Sequence, residues 1–128
     1  MLSHLDHLVI TTRDKDRCVD FYSRVLGMKV ETFGNGRIAL RFGEQKLNVH
    51  EFGHEFLPKA SHPTPGSLDL CFLLAVPLEE ATRQLGRMGI AIEEGPVQRT
   101  GAQGPIRSVY VRDPDLNLIE LSELLEPH

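Results

Sequence analysis

Apolar and polar residues alternate along this chain in short runs, and glycine- or proline-bearing turns separate them. Leu5 to Thr12 is β-branched and apolar enough for a strand, with Leu5, His7 and Val9 on one side and Asp6, Leu8 and Ile10 on the other. Asp14 is a helix cap. Cys18, Phe21, Tyr22, Val25 and Leu26 then recur at helical spacing until Gly27 ends the helix. Met28–Phe33 predicts a strand, Gly34-Asn35-Gly36 a hairpin, Arg37–Phe42 an alternating strand and Lys46–Phe52 another. The prolines and glycine of 52–67 predict a long connection. Leu68–Val76 follows as a nearly continuous apolar strand. Pro77 opens a helix striped by Leu78, Ala81, Leu85 and Met88, and Gly89 ends it. Ile90–Glu93 predicts a short strand, 95–105 a second long loop, and Arg107–Arg112 a strand. The turn Asp113-Pro114-Asp115 and the run Leu116–Leu121 close the pattern, and 123–128 is a fraying tail.

The order is the same twice, strand–helix–three strands. The shift that carries His7 onto Asp69 also carries Gly27 onto Gly89 and Val30 onto Ile92. A slightly longer shift lays Leu47-Asn48-Val49-His50-Glu51-Phe52 on Leu116-Asn117-Leu118-Ile119-Glu120-Leu121. The expected fold is α+β, two βαβββ modules at 1–55 and 66–126 joined by a linker at 56–65, within one domain spanning 1–128.

This repeat makes His7 equivalent to Asp69 and Glu51 equivalent to Glu120, each with an apolar residue on at least one side. Singly they have ordinary readings: a hydrogen-bonded histidine, a strand-end carboxylate, a turn aspartate, and a glutamate paired with Arg112. Together, three carboxylates and an imidazole in one cavity repel unless a divalent cation joins them. Mn²⁺, Fe²⁺, Ni²⁺, Zn²⁺ and Mg²⁺ all accept such ligands.

Composition adds bounds. A charge of −4, from 14 basic and 18 acidic residues in 128, argues against nucleic acid or an anionic membrane as partner. Cys18 and Cys71 lack metal-type spacing and are expected to be buried free thiols. No run reaches the length of a membrane span, and Asp6 and His7 interrupt the first apolar run, so the expected location is cytoplasmic.

Leu5-Asp6-His7-Leu8-Val9, Asp20-Phe21-Tyr22 with Val25-Leu26-Gly27-Met28, and Asp113–Leu121 together resemble the vicinal oxygen chelate superfamily of glyoxalases, bleomycin-resistance proteins and extradiol dioxygenases. Within it, Pro65-Gly66-Ser67-Leu68-Asp69 and Glu93-Glu94-Gly95-Pro96-Val97 resemble the glyoxalase domain-containing protein 5 group and its bacterial relatives. The resemblance implies paired modules forming a cup-shaped mixed sheet around a divalent metal held by His7, Glu51, Asp69 and Glu120. It further implies that Glu51 or Glu120 acts as base on a small oxygen-chelating substrate in lyase or isomerase chemistry, and that the protein is a homodimer. The chain departs from that pattern at Asp69, where histidine is usual, and at Leu116, where glycine is usual. Asp69 leaves one histidine at the matched positions, which disfavours the two-histidine iron site of an extradiol dioxygenase. His62 is a substitute ligand or a plain loop histidine. A metal-free small-molecule binding protein of the bleomycin-resistance kind is the alternative. Arg41, Tyr110 and the glycines of 99–105 are further candidates for substrate contact.

Overall fold

Strand β1, His7–Thr12, alternates from exposed to buried, and its inward residue Ile10 is fully covered. Asp14 then caps helix α1, Lys15–Asp20, by accepting a hydrogen bond from the Arg17 N–H. The helix widens into one π turn over Phe21–Val25, and Gly27, at φ 77°, releases the chain in the left-handed conformation that a C-terminal cap requires. Strands β2, Lys29–Phe33, β3, Arg37–Phe42, and β4, Gln45–Glu51, follow. They form a sheet of order β1-β4-β3-β2, in which β1 and β4 are parallel and the other pairs antiparallel.

The computed structural model describes residues 1–125, and the second half repeats this plan. Strand β5 is Asp69–Leu73, α2 Leu78–Arg87, β6 Glu94–Gly101, β7 Gly104–Arg112 and β8 Leu118–Leu124. The sheet order is β5-β8-β7-β6, again with the first pair parallel. The chain is thus α+β with two βαβββ modules, each built on its own four-stranded mixed sheet. The expected boundary at 126 lies outside the described residues, as does the second half of the expected tail.

By contacts the chain divides into two compact units. The first is Met1–Leu68 completed by Pro114–Leu116, and the second takes Asp69–Asp113 and the chain from Asn117 onward. In the first, Ile10, Leu47 and Val49 on one face of the sheet are buried, as are Cys18, Phe21, Tyr22 and Val25 of the helical segment. In the second, Val109, Val111, Ile119 and Leu121 are buried, and α2 packs on β7 and β8 through its buried stripe of Leu78, Ala81 and Leu85. Each sheet therefore has a face bearing its helix and an opposite, open face.

Four expectations change. The loop foreseen over 95–105 is mostly sheet: β6 and β7 pair from Gly101↔Gly104 outward, with a register irregularity between Glu94 and Val97. The breaker residues sit at that irregularity and at the hairpin tip, where they are tolerated. Ile90–Glu93 is not a strand; only the Glu93 N–H reaches across, to the Tyr110 carbonyl. Glu123 and Leu124 belong to β8 rather than to a frayed tail, and Glu123 accepts the Leu78 N–H at the start of α2. Cys18 is buried as expected, but Cys71 lies exposed on the open face of its sheet.

Candidate functional site

The open face of the first sheet carries His7, Val9 and Thr11 from β1. Their direct neighbours on β4 are Lys46, Asn48 and His50. His7 Nδ1 stands 2.9 Å from Asp6 Oδ2. A carboxylate only accepts, so Nδ1 carries a proton in this contact, and Nε2 is the nitrogen through which the neutral ring would bind a ligand. The same contact holds the Asp6 carboxyl below its ordinary range. Asn48 Oδ1 is buried and has no hydrogen-bond partner. An orphaned buried carbonyl oxygen is costly, and it is a normal donor to a hard cation.

Register also corrects the equivalence drawn from sequence. Val9 pairs with Asn48 as Cys71 pairs with Glu120, so the residue equivalent to Glu120 is Asn48, three positions before Glu51. An odd-numbered slip reverses the face. Glu51 lies beside Thr12, on the side of Leu47 and Val49, away from His7. By the same register its counterpart in the second module is Glu123, the residue that caps α2.

On the open face of the second sheet, Asp69, Cys71 and Leu73 stand beside Leu118, Glu120 and Ser122. Glu120 is half-buried. Its Oε2 accepts a 2.6 Å hydrogen bond from Ser108 Oγ; Ser122 Oγ lies 2.6 Å from Ser108 Oγ, and Cys71 Sγ 3.3 Å from Ser122 Oγ. With one proton per hydroxyl, the chain of donors runs from Cys71 through both serines to the carboxylate. Asp69 is the diagonal neighbour of Glu120 across the β5–β8 pair. Burial pushes the Cys71 thiol up, so it is a thiol and not a thiolate near neutral pH. Among the described residues, no three His, Cys, Asp or Glu side chains form a metal-holding cluster.

The remaining candidates resolve individually. Arg112 is held by Glu93 at 3.0 Å, not by Glu120. Arg41 pairs with Glu31 at 2.9 Å. Tyr110 neighbours Glu120 on the open face and accepts from Arg99 Nε at 3.1 Å. His62 lies in a cleft of about 450 Å³ between the connecting segment and the open face of the first sheet, together with Val9, Thr11 and His50. Burial, aided by Arg37, keeps the His50 pKa below its ordinary value.

Glu55 fixes that connecting segment. Its side chain is only 4% exposed, accepts the Gly53 N–H at 2.8 Å and lies 3.5 Å from Lys59 Nζ. The Gly53 hydrogen bond, then Glu55's own N–H and Lys59, hold its carboxyl below the ordinary 4.5. A lowered carboxyl pKa contributes stability above pH 4.5 that is lost as pH falls through the folded value. Amide exchange in 53–60 is therefore expected to rise on acidification below about pH 4.5. Glu55→Gln should remove that dependence while the core of the sheet stays protected.

These two modules, each with polar residues on an open sheet face, define a paired βαβββ fold. The family model of the Glyoxalase/Bleomycin resistance protein/Dioxygenase superfamily matches residues 4–121, and the chain belongs to that superfamily. It is 60% identical over 118 residues to glyoxalase domain-containing protein RDO1 of Mycosarcoma maydis, covering 92% of this chain and 66% of the relative. It is 50% identical over 123 residues to virulence protein STM3117 of Salmonella typhimurium, covering 96% of this chain and 85% of the relative. An integron cassette protein from V. cholerae shares 54% identity and a TM-score of 0.95, with 98% of each chain covered. At the level of fold alone, the chain also resembles lactoylglutathione lyase from Agrobacterium tumefaciens, with 22% identity, TM-score 0.74 and 96% and 95% of the two chains covered. TnmS3, an antibiotic binding protein from Streptomyces sp. CB03234, gives 21%, 0.76, 97% and 98%. An enzyme and a binding protein thus share the fold, and the residues of the site must decide between them.

Proposed function

We propose that this protein is a divalent-metal-dependent enzyme of the superfamily, with glyoxalase-like lyase or isomerase chemistry on a small substrate that offers two neighbouring oxygens. The observation that carries the reading is the buried, unpartnered Oδ1 of Asn48 on the same face as His7. In the first module the proposed donors are His7 Nε2 and Asn48 Oδ1; in the second they are Asp69 and Glu120. Glu51, the sequence-based candidate, takes second place to Asn48 because it stands on the other face of β4. A bound divalent ion supplies Lewis-acid stabilisation of negative charge on the substrate oxygens. Asp6 fixes the tautomer and direction of His7. Glu120 is the proposed base, and the Ser108 hydroxyl holds its Oε2 in place.

Calorimetric titration with Mn²⁺, Fe²⁺, Ni²⁺, Zn²⁺ and Mg²⁺ tests this. At least one ion should bind at neutral pH, raise the melting temperature and bind more weakly as pH falls. Glu120→Ala should abolish binding. Asn48→Ala should weaken it roughly 10–100-fold, whereas Glu51→Ala should leave it unchanged. If none of the ions binds the wild type, the metal reading is wrong and a metal-free small-molecule binding protein takes its place.

We further propose a homodimer. Phe52 and Leu57 in the connecting segment are exposed, whereas Phe56 is withdrawn against His50 and Arg37. Light scattering should give twice the 14.4 kDa chain mass, and Leu57→Asp should shift it toward the monomer.

A further inference from the structure

The cleft beneath the connecting segment is separate in position from the His7–Asn48 pair but shares its sheet face. Thr11 and His50, which form its floor, are each two residues beyond Val9 and Asn48 along their strands, a step on the order of 7 Å. Its walls come from the prolines and small residues of 58–68, with Lys59 and His62 among them. A volume of about 450 Å³ suits a small organic molecule.

The charges around the cleft are mostly of one sign. Lys59 contributes an ammonium to the lining. Arg37 stacks 4.4 Å over Phe56, whose ring lies 5.7 Å from His50, so a second cation stands behind the floor. A nearby carboxylate, Glu55, is covered by its own segment and accepts the Gly53 N–H. Its contact with Lys59 is long, at 3.5 Å, and Lys59 remains 41% exposed, with ammonium hydrogens available to a ligand. Valine, leucine, alanine and two prolines, with the hydroxyls of Thr64 and Ser67, complete the lining, which matches a largely apolar body carrying one charged end.

We propose that this cleft binds the carboxylate end of a small organic acid, with Lys59 as the charge partner and His62 as a hydrogen-bond partner. Resting on the functional reading above, this makes the substrate an organic acid whose two chelating oxygens sit one strand step away from its carboxylate. Lys59 would then be a specificity-determining residue.

The test uses the full chain without metal, in EDTA, so that it stands or falls independently of the metal titration. Phenylacetate, its neutral counterpart phenylacetamide, and inorganic phosphate are titrated separately while backbone amide resonances are followed. Phenylacetate should shift the amides of Lys59, Ala60, His62 and Thr64 and bind at least tenfold more tightly than phenylacetamide. Lys59→Met should weaken phenylacetate at least tenfold. Lys59→Arg should retain most of the affinity, which separates loss of charge from disturbance of the segment. Equal binding of acid and amide, shifts confined to other parts of the chain, or no shifts at all would overturn the proposal. Tighter binding of phosphate than of phenylacetate would overturn it too, by making the site one for phosphate.

Discussion

Gly95→Ala is expected to destabilise the protein by about 3 kcal/mol or more, a large share of the roughly 5–15 kcal/mol that holds a domain folded. Gly95 has φ 111°, a conformation that L side chains rarely adopt. An added Cβ would stand 2.5 Å from the Ser108 carbonyl oxygen and 2.9 Å from Val109 Cα. Both are backbone atoms of a central strand and cannot turn aside as a flexible side chain would. Strain there also reaches Ser108, the residue that positions Glu120. Gly86→Ala is the internal comparison. Gly86 lies within α2 with nothing near its would-be Cβ, so alanine should stabilise by roughly 0.5–1 kcal/mol through helix propensity. Urea unfolding of the two variants should move the midpoint in opposite directions.

Asp113→Ala should cost about 2–4 kcal/mol. Asp113 is 3% exposed and Asn117 1% exposed. The Asp113 carboxylate accepts the Asn117 N–H at 2.9 Å and its side-chain amide at 2.8 Å, closing the turn before β8. Alanine strands two buried donors in a place water does not reach. Asp113→Asn keeps one acceptor but directs an amide donor at another, so its loss should be intermediate. The ordering Ala, Asn, wild type in denaturant midpoint checks the account, and equal midpoints would refute it.

Most of the architecture was legible because the period of each segment matched its structure. The stripe of Cys18, Phe21, Tyr22 and Val25, the Gly34-Asn35-Gly36 hairpin and the Leu78–Leu85 helix all follow from local rules. The β6–β7 hairpin was hidden because its glycines and prolines act as breakers only where a regular ladder must continue, and there the ladder is irregular or ending.

The candidate site was legible in part. His7, Asp69 and Glu120 do lie on open sheet faces. Asn48 was missed because residue identity favoured laying Glu51 on Glu120. Hydrogen-bond register, which no single sequence states, sets the pairing three residues away. One signal was available: Leu47-Asn48-Val49 and Ile119-Glu120-Leu121 each place one polar residue between two aliphatics. Matching burial pattern before identity would have found it. Leu116, where the resemblance led one to expect glycine, does adopt the positive φ of a glycine, at 71°.

The turn around Asp115 has a bearing on how the gene can be divided. Asp115 accepts hydrogen bonds from the Thr12 hydroxyl and the Arg13 N–H, and Gly66 packs so closely on its carbonyl that a methyl group there would stand 2.5 Å away. Residues 114–116 thereby complete the first unit although they are encoded almost at the far end of the chain. A fragment cut within the connecting segment keeps every strand of the first sheet and still lacks the carboxylate that joins Thr12 and Arg13. The first half of the coding sequence, taken alone, therefore does not specify all of its own folded unit.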